Sequence, residues 1–144
     1  MAGEEKIVIR QIGKPGKESQ EALLQYFCQV FDIGTKKGDD VEPTIFKEIV
    51  ASSINGSGVT SKVLNEKLSV PRSTVIYHLN RFIYSGLVVR KGRKYYLRSD
   101  DMESTMQELQ ADIEREFSRL IEFAQKMDTL FEENAYGRRK GRRQ

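Results

Sequence analysis

Two short runs of the chain concentrate side chains that bond phosphates and nucleobase edges. Arg72, Ser73, Thr74, Tyr77, His78 and Arg81 make the first, and Arg90, Lys91, Arg93 and Lys94 make the second. Arginine and lysine bond guanine edges and phosphate, while serine, threonine and tyrosine hydroxyls bond phosphate or bases. Residues 85–98 contain no acid. The chemistry on offer is recognition of a polyanion rather than bond making or breaking. The chain has one His, His78, and one Cys, Cys28. No Ser or Cys can be assembled with that His and an orienting acid, so catalysis is not expected. Two N/S ligands are too few for a zinc site of the usual kind, and no metal or cofactor is expected. A lone Cys inside a helical stripe reads as a small buried hydrophobe. His78 is open to two readings, a packing or capping residue and a phosphate contact.

The elements that must carry these residues follow from periodicity. Pro43 suits the first turn of a helix to about Ile54, with Ile45, Phe46, Ile49 and Val50 as its apolar face. Asn55-Gly56-Ser57-Gly58 ends it. This glycine pair lacks the Lys-Ser/Thr of a phosphate loop and the strand of a dinucleotide fingerprint. Thr60 is a good N-cap for a helix to about Leu68, with Val63, Leu64 and Leu68 inward. Ser69-Val70 breaks it, and Pro71 opens a helix that stops before Gly86. Two helices joined this way form a helix-turn-helix, whose second helix can lie in a DNA major groove. At ~100° per residue Val75, Leu79, Phe82 and Ile83 share one side of that second helix. Ser73, Thr74, Tyr77, Arg81 and Tyr84 take the opposite side, with His78 and Asn80 at its edges. No carboxylate stands on that outer face to repel phosphate.

After Gly86 the period changes. Leu87 to Arg90 and Arg93 to Arg98 are strand-like, and Lys91-Gly92 is the expected two-residue connector of a tight hairpin. One of Tyr95 and Tyr96 should pack inward and the other outward. The hairpin tip is basic and shaped to lie on a phosphate backbone or in a minor groove.

The run Val70-Pro71-Arg72-Ser73-Thr74-Val75-Ile76-Tyr77-His78-Leu79, then Phe82, Ser85-Gly86-Leu87-Val88 and Gly92-Arg93-Lys94-Tyr95-Tyr96-Leu97, resembles a known pattern. It is similar to the winged helix-turn-helix of ArsR-like and related MarR-like transcriptional regulators, in particular prokaryotic and often archaeal ones. The resemblance covers about residues 44–98. It implies a dimeric DNA-binding regulator with the second helix in the major groove and the hairpin as a wing. It carries DNA contact onto Arg72, Ser73, Thr74, Tyr77, His78 and Arg81, and onto the wing from Arg90 to Lys94. The Cys and His clusters of the metal-sensing members are absent here.

The rest of the chain suggests how such a domain is deployed. Residues 6–10 read as a strand and 18–33 as a helix with a stripe of Leu23, Leu24, Phe27, Val30 and Phe31. Residues 34–40 are polar and loop-like. Asp100 and Glu103 have capping-box spacing before a long helix without Pro or Gly to residue 136. Met102, Met106, Leu109, Ile113, Phe117, Leu120, Ala124, Met127 and Phe131 follow near heptad spacing. A seam of that length predicts pairing with a second copy through residues 100–135. Residues 137–144 are basic, lack apolar residues and are expected to be a disordered tail. The expected architecture is mainly α with a small β-hairpin wing: residues 1–42 as a packing or dimer element, 43–98 as the winged helix-turn-helix, 99–136 as the dimer helix.

The formal charge of the 144 residues is only +3. Residues 41–98 nevertheless carry ten basic and three acidic groups, whereas residues 99–136 carry three basic and eleven acidic. A basic block between acidic neighbours is a footprint of a nucleic-acid face. No apolar run approaches the ~20 residues of a membrane span. The reading is a cytoplasmic, nucleoid-associated homodimer that regulates transcription by sequence-specific binding to double-stranded DNA. Two other functions fit the same residues: an architectural DNA-binding protein with little sequence preference, and a winged helix that docks other proteins.

Overall fold

The computed structural model describes residues 9–10, 12–31 and 41–136. The chain divides into two units, Met1–Met106 and Gln107–Gln144. It is mainly helical with one small three-stranded antiparallel sheet. Among the described residues no helix is long and apolar enough to cross a membrane.

In the first unit, α1 spans Gln20–Val30 and is capped by Ser19, whose side chain accepts from the Ala22 N–H at 3.2 Å. It is shorter than the expected 18–33. Of the strand expected at 6–10, only Ile9 and Arg10 are described, and neither is in a strand. The Arg10 N–H instead donates to the Val30 carbonyl at 2.7 Å. The expected loop at 34–40 and the basic tail at 137–144 lie outside the described residues.

Helix α2, Val41–Ile54, packs against α1, against the sheet and against α4, which spans Arg72–Tyr84. Its start precedes Pro43 by two residues, which brings Glu42 into the helix. Ile45, Phe46 and Ile49 are buried, and the Phe46 ring stacks on Phe82 of α4 with centroids 5.3 Å apart. Val75 and Leu79 of α4 are buried as well. Helix α3, Ser61–Leu68, is capped by the Thr60 hydroxyl, which accepts from the Val63 N–H at 3.1 Å. Val63 was expected to face inward but is 46% exposed. The buried stripe of α3 runs through Ser61 and Leu64, and Val63 falls a quarter turn or more off it. Ser69 in the left-handed region, with φ 54°, turns the chain from α3 into α4.

The sheet contains a strand that periodicity did not predict. β1 is only Val59–Thr60 and pairs with β3, Lys94–Leu97, placing Val59 opposite Tyr95. β2, Val88–Lys91, pairs with the other edge of β3, so the order is β1-β3-β2. The hairpin turn is Gly92-Arg93, one residue later than expected, with Lys91 directly opposite Lys94. Gly92 has φ 65°, and glycine at the first central position is the requirement of a type II′ turn. Tyr95 is the buried tyrosine and Tyr96 is half-buried. The Leu97 N–H donates to the Ser53 hydroxyl at 2.8 Å, which pins the root of β3 to α2.

Helix α5, Met102–Tyr136, is capped by Asp101 rather than Asp100. The Ser104 N–H donates to Asp101 Oδ1 at 2.8 Å, and this bonding holds the Asp101 carboxyl below the usual range. With 35 residues the helix is about 50 Å long.

Gly58 has φ 70°, and a Cβ there would stand 2.6 Å from the Tyr96 ring. Gly56 has φ 85° but open space where its Cβ would be. Gly58→Ala should therefore cost about 1–3 kcal/mol, from backbone strain plus displacement of Tyr96. Gly56→Ala carries the strain alone and should cost less. Urea unfolding midpoints of the two variants check the order, and equal losses would show that the Tyr96 contact contributes nothing.

Candidate nucleic-acid interface

The orientation of α4 about its own axis is set by a polar contact within its apolar packing. Glu42, 1% exposed, points its Oε2 at α4. His78 Nδ1 pairs with that oxygen, and since a carboxylate only accepts, the ring nitrogen is the donor. Arg81 Nε donates to the same oxygen at 3.1 Å. His78 is 8% exposed and lies between Phe82 and the outer face. At that edge position it is buried, so of its two readings the structure shows the packing one. A carboxylate on the facing helix takes it inward.

With that side held, Arg72, Ser73, Tyr77, Asn80 and Tyr84 are exposed, and Thr74 is half-buried. The Tyr77 ring packs edge-on to His78 with centroids 5.1 Å apart, and the Arg81 guanidinium lies 5.8 Å from the Tyr77 centroid. Ser73, Tyr77, Asn80 and Tyr84 recur at spacings of 4, 3 and 4, so they form one continuous ridge. The ridge carries two hydroxyphenyl groups, a hydroxyl and a carboxamide, and no charge. Asn80 was placed at the edge in the sequence and stands on the ridge in the structure. A carboxamide can bond two adjacent atoms of an adenine edge.

The β2–β3 hairpin supplies the cations. Arg90, Lys91, Arg93 and Lys94 are exposed. Arg90 Nε donates to the Gly92 carbonyl at 2.8 Å and its guanidinium stands 5.6 Å from the Tyr95 centroid. The Lys91 ammonium stands 5.3 Å from the Tyr96 centroid. Among the described residues no carboxylate forms an ion pair with any of these four. Lys91 and Lys94 are direct cross-strand partners, and like charges so placed repel. An anion laid across the tip relieves that repulsion. The sequence-predicted residues thus fall into three groups: the ridge, the hairpin tip, and the buried junction of His78 with Arg81. The structure adds Glu42 to the junction.

Among the described residues no group of three or more His, Cys, Asp or Glu is gathered to hold a metal ion. Cys28 of α1 is buried, and burial pushes its thiol up to about 12, with the Glu42 charge adding to the effect. Comparisons with protein-family models, curated proteins and solved structures find no match for the chain.

Two outcomes follow from this geometry. Glu42→Ala leaves the His78 and Arg81 donors without their acceptor and opens a void, and should cost about 2–4 kcal/mol. Glu42→Gln keeps an acceptor and should cost less, both read from urea denaturation at pH 7. For Cys28, the raised value leaves a thiolate fraction of roughly 10⁻⁴ at pH 8. Iodoacetamide at pH 8 should leave the folded chain unlabelled over an hour and label it fully in 6 M guanidinium. Rapid labelling of the folded chain would contradict the buried thiol.

Proposed function

We propose that the chain is a winged helix-turn-helix transcriptional regulator that binds double-stranded DNA with sequence preference, as a homodimer. In this reading α4 enters the major groove, and the β2–β3 hairpin lies on the backbone or in the adjacent minor groove. The observation that carries it is the pairing of two surfaces on one unit. One is an α4 ridge of Ser73, Tyr77, Asn80 and Tyr84 with no carboxylate, and the other is a hairpin tip with four cations and no acidic partner among the described residues.

The two surfaces divide the work by physical type. Cations at Arg90, Lys91, Arg93 and Lys94 bind phosphate, release counterions and give affinity without sequence information. Groups on the ridge, with Arg72 at the start of α4, touch base edges and give preference. Arg81 holds Glu42 through Nε, so in this reading it positions the helix as well as facing the groove. His78, buried against Glu42, serves as a positioning residue and not as a DNA contact.

Selection of bound duplexes from a random pool, at stated salt, tests the proposal. A short enriched motif, two-fold or nearly so, is the expected result. Lys91→Ala with Lys94→Ala should weaken binding to all duplexes and flatten the dependence of log K on log salt by about one unit per lost phosphate contact. Asn80→Ala should instead lose about 1–3 kcal/mol on the enriched site and little on random DNA. Binding without enrichment would favour an architectural role. Failure to shift any duplex at low salt would favour a protein-docking module.

A further inference from the structure

The outward ridge of α4 has a composition that favours one kind of base pair. At ~100° per residue Ser73, Tyr77, Asn80 and Tyr84 fall within about 60° of one another, opposite the buried Val75, Leu79 and Phe82. From Ser73 to Tyr84 the ridge is roughly 16 Å long, the rise of about five stacked base pairs. The commonest specific reader of guanine is an Arg or Lys that bonds O6 and N7 together. No residue of the ridge is of that type. Arg72 and Arg81 flank it on its two sides. Arg81 is engaged inward, where its Nε donates to Glu42 Oε2 at 3.1 Å. Arg72 is exposed at the start of α4, about 12 Å from Asn80 along the axis.

Asn80 is exposed and is the carboxamide of the ridge. A carboxamide presents one acceptor and one donor side by side. Adenine shows the complement in the major groove, an acceptor at N7 and a donor at N6. Guanine shows two acceptors, so the carboxamide oxygen would face one of them unbonded. Tyr77 stands about 4.5 Å from Asn80 along the axis, between one and two base-pair steps. Its ring is 58% exposed, yet its position is set from behind. It packs edge-on to His78 and lies under the Arg81 guanidinium, and both of those residues bond Glu42. The apolar group that a major groove offers to such a ring is the thymine methyl.

We propose that α4, on the reading that it lies in the major groove, is a reader of A·T pairs at its middle. Asn80 bonds N7 and N6 of one adenine, and the Tyr77 ring packs on a thymine methyl one or two pairs away. Guanine contacts are confined to the end of the half-site nearest Arg72. The buried junction thereby acquires a second consequence, since Glu42 fixes through His78 and Arg81 the ring that tells thymine from cytosine.

The full-length protein and the duplex enriched from a random pool test the assignment. Within one half-site each adenine is replaced in turn by 7-deazaadenine, which lacks the N7 acceptor, and each thymine by uracil, which lacks the methyl. One 7-deazaadenine position should weaken wild-type binding about tenfold and leave Asn80→Ala unaffected, because its partner is already gone. One uracil position within two pairs of it should weaken wild type about fourfold and leave Tyr77→Ala unaffected. Both side chains are exposed, so the core of either variant is intact. A half-site that tolerates 7-deazaadenine everywhere overturns the proposal, as does one where that analogue weakens Asn80→Ala as much as wild type. An enriched half-site with G·C pairs at its middle overturns it too, and uracil tolerated throughout overturns the thymine contact. In those cases a duplex is still bound with preference, so the DNA reading stands. Binding without enrichment, or no binding at low salt, removes the sequence-specific reading itself and the base assignment with it.

Discussion

The carboxylate of Glu42 is nearly out of water, and a charge so placed is costly unless it is bonded. One oxygen takes both His78 and Arg81. These two residues are three apart on α4, so they fix the helix in rotation as well as in distance. Apolar packing contributes as well, since Val75, Leu79 and Phe82 are fully buried, but it is non-directional, whereas these bonds have fixed partners. A roll that broke the Glu42 contact would strand two donors and a buried charge. The exposure of Ser73, Tyr77, Asn80 and Tyr84 is therefore a consequence of a residue on another helix. Cys28 belongs to the same neighbourhood, since the Glu42 charge adds to the rise of its thiol.

The hairpin depends on a different constraint. Four exposed cations on eight strand residues and a two-residue turn make a poor sheet edge unless the strands are anchored elsewhere. β1 provides one anchor by pairing with β3, and the Ser53 hydroxyl provides another at Leu97. Gly58 lets the Tyr96 ring lie against the chain just before β1. Small residues at 53 and 58 thus hold a strand whose other end is loaded with like charge. Lys91 and Lys94 oppose each other at that end, so the stability of the root offsets repulsion at the tip.

Long periodic segments were legible in the sequence because each carries many repeats of one signal. Helices α2, α4 and α5, the inward Val75, Leu79 and Phe82, and the existence of the hairpin are of this kind. The turn at Gly92-Arg93 was misplaced by one residue because glycine was put last in the connector, whereas a type II′ turn takes it first. β1 was missed because two residues have no period, and its pairing is decided by β3, far away in sequence. The cap of α5 went to Asp101 because a single side-chain bond to the Ser104 N–H outweighed a matching pair spacing. Glu42 was missed for a related reason. An acid just before Pro43 looks like ordinary helix-start chemistry, favourable to the dipole and solvated. Only the approach of α4 makes it a buried partner, and the one available hint was that the chain's single His sits on α4 beside the apolar face. Asn80 falls at an edge by angle, because angle alone does not tell which part of a helix surface a neighbouring helix covers.

The same limit explains why net charge was uninformative and its distribution was not. Residues 41–98 and 99–136 have opposite excess charge, and the total nearly cancels. A polyanion near the chain attracts the hairpin tip and repels the helix that follows. Unequal charge within one chain is an orienting torque during approach, whatever the short-range contacts turn out to be. On α5 the acids outnumber the cations, and Arg115, Arg119 and Lys126 are each paired within the helix, to Asp112, Glu116 and Glu122. Those pairs consume the cations without cancelling the excess of acid, so the helix keeps a net negative charge that a count of ion pairs would miss.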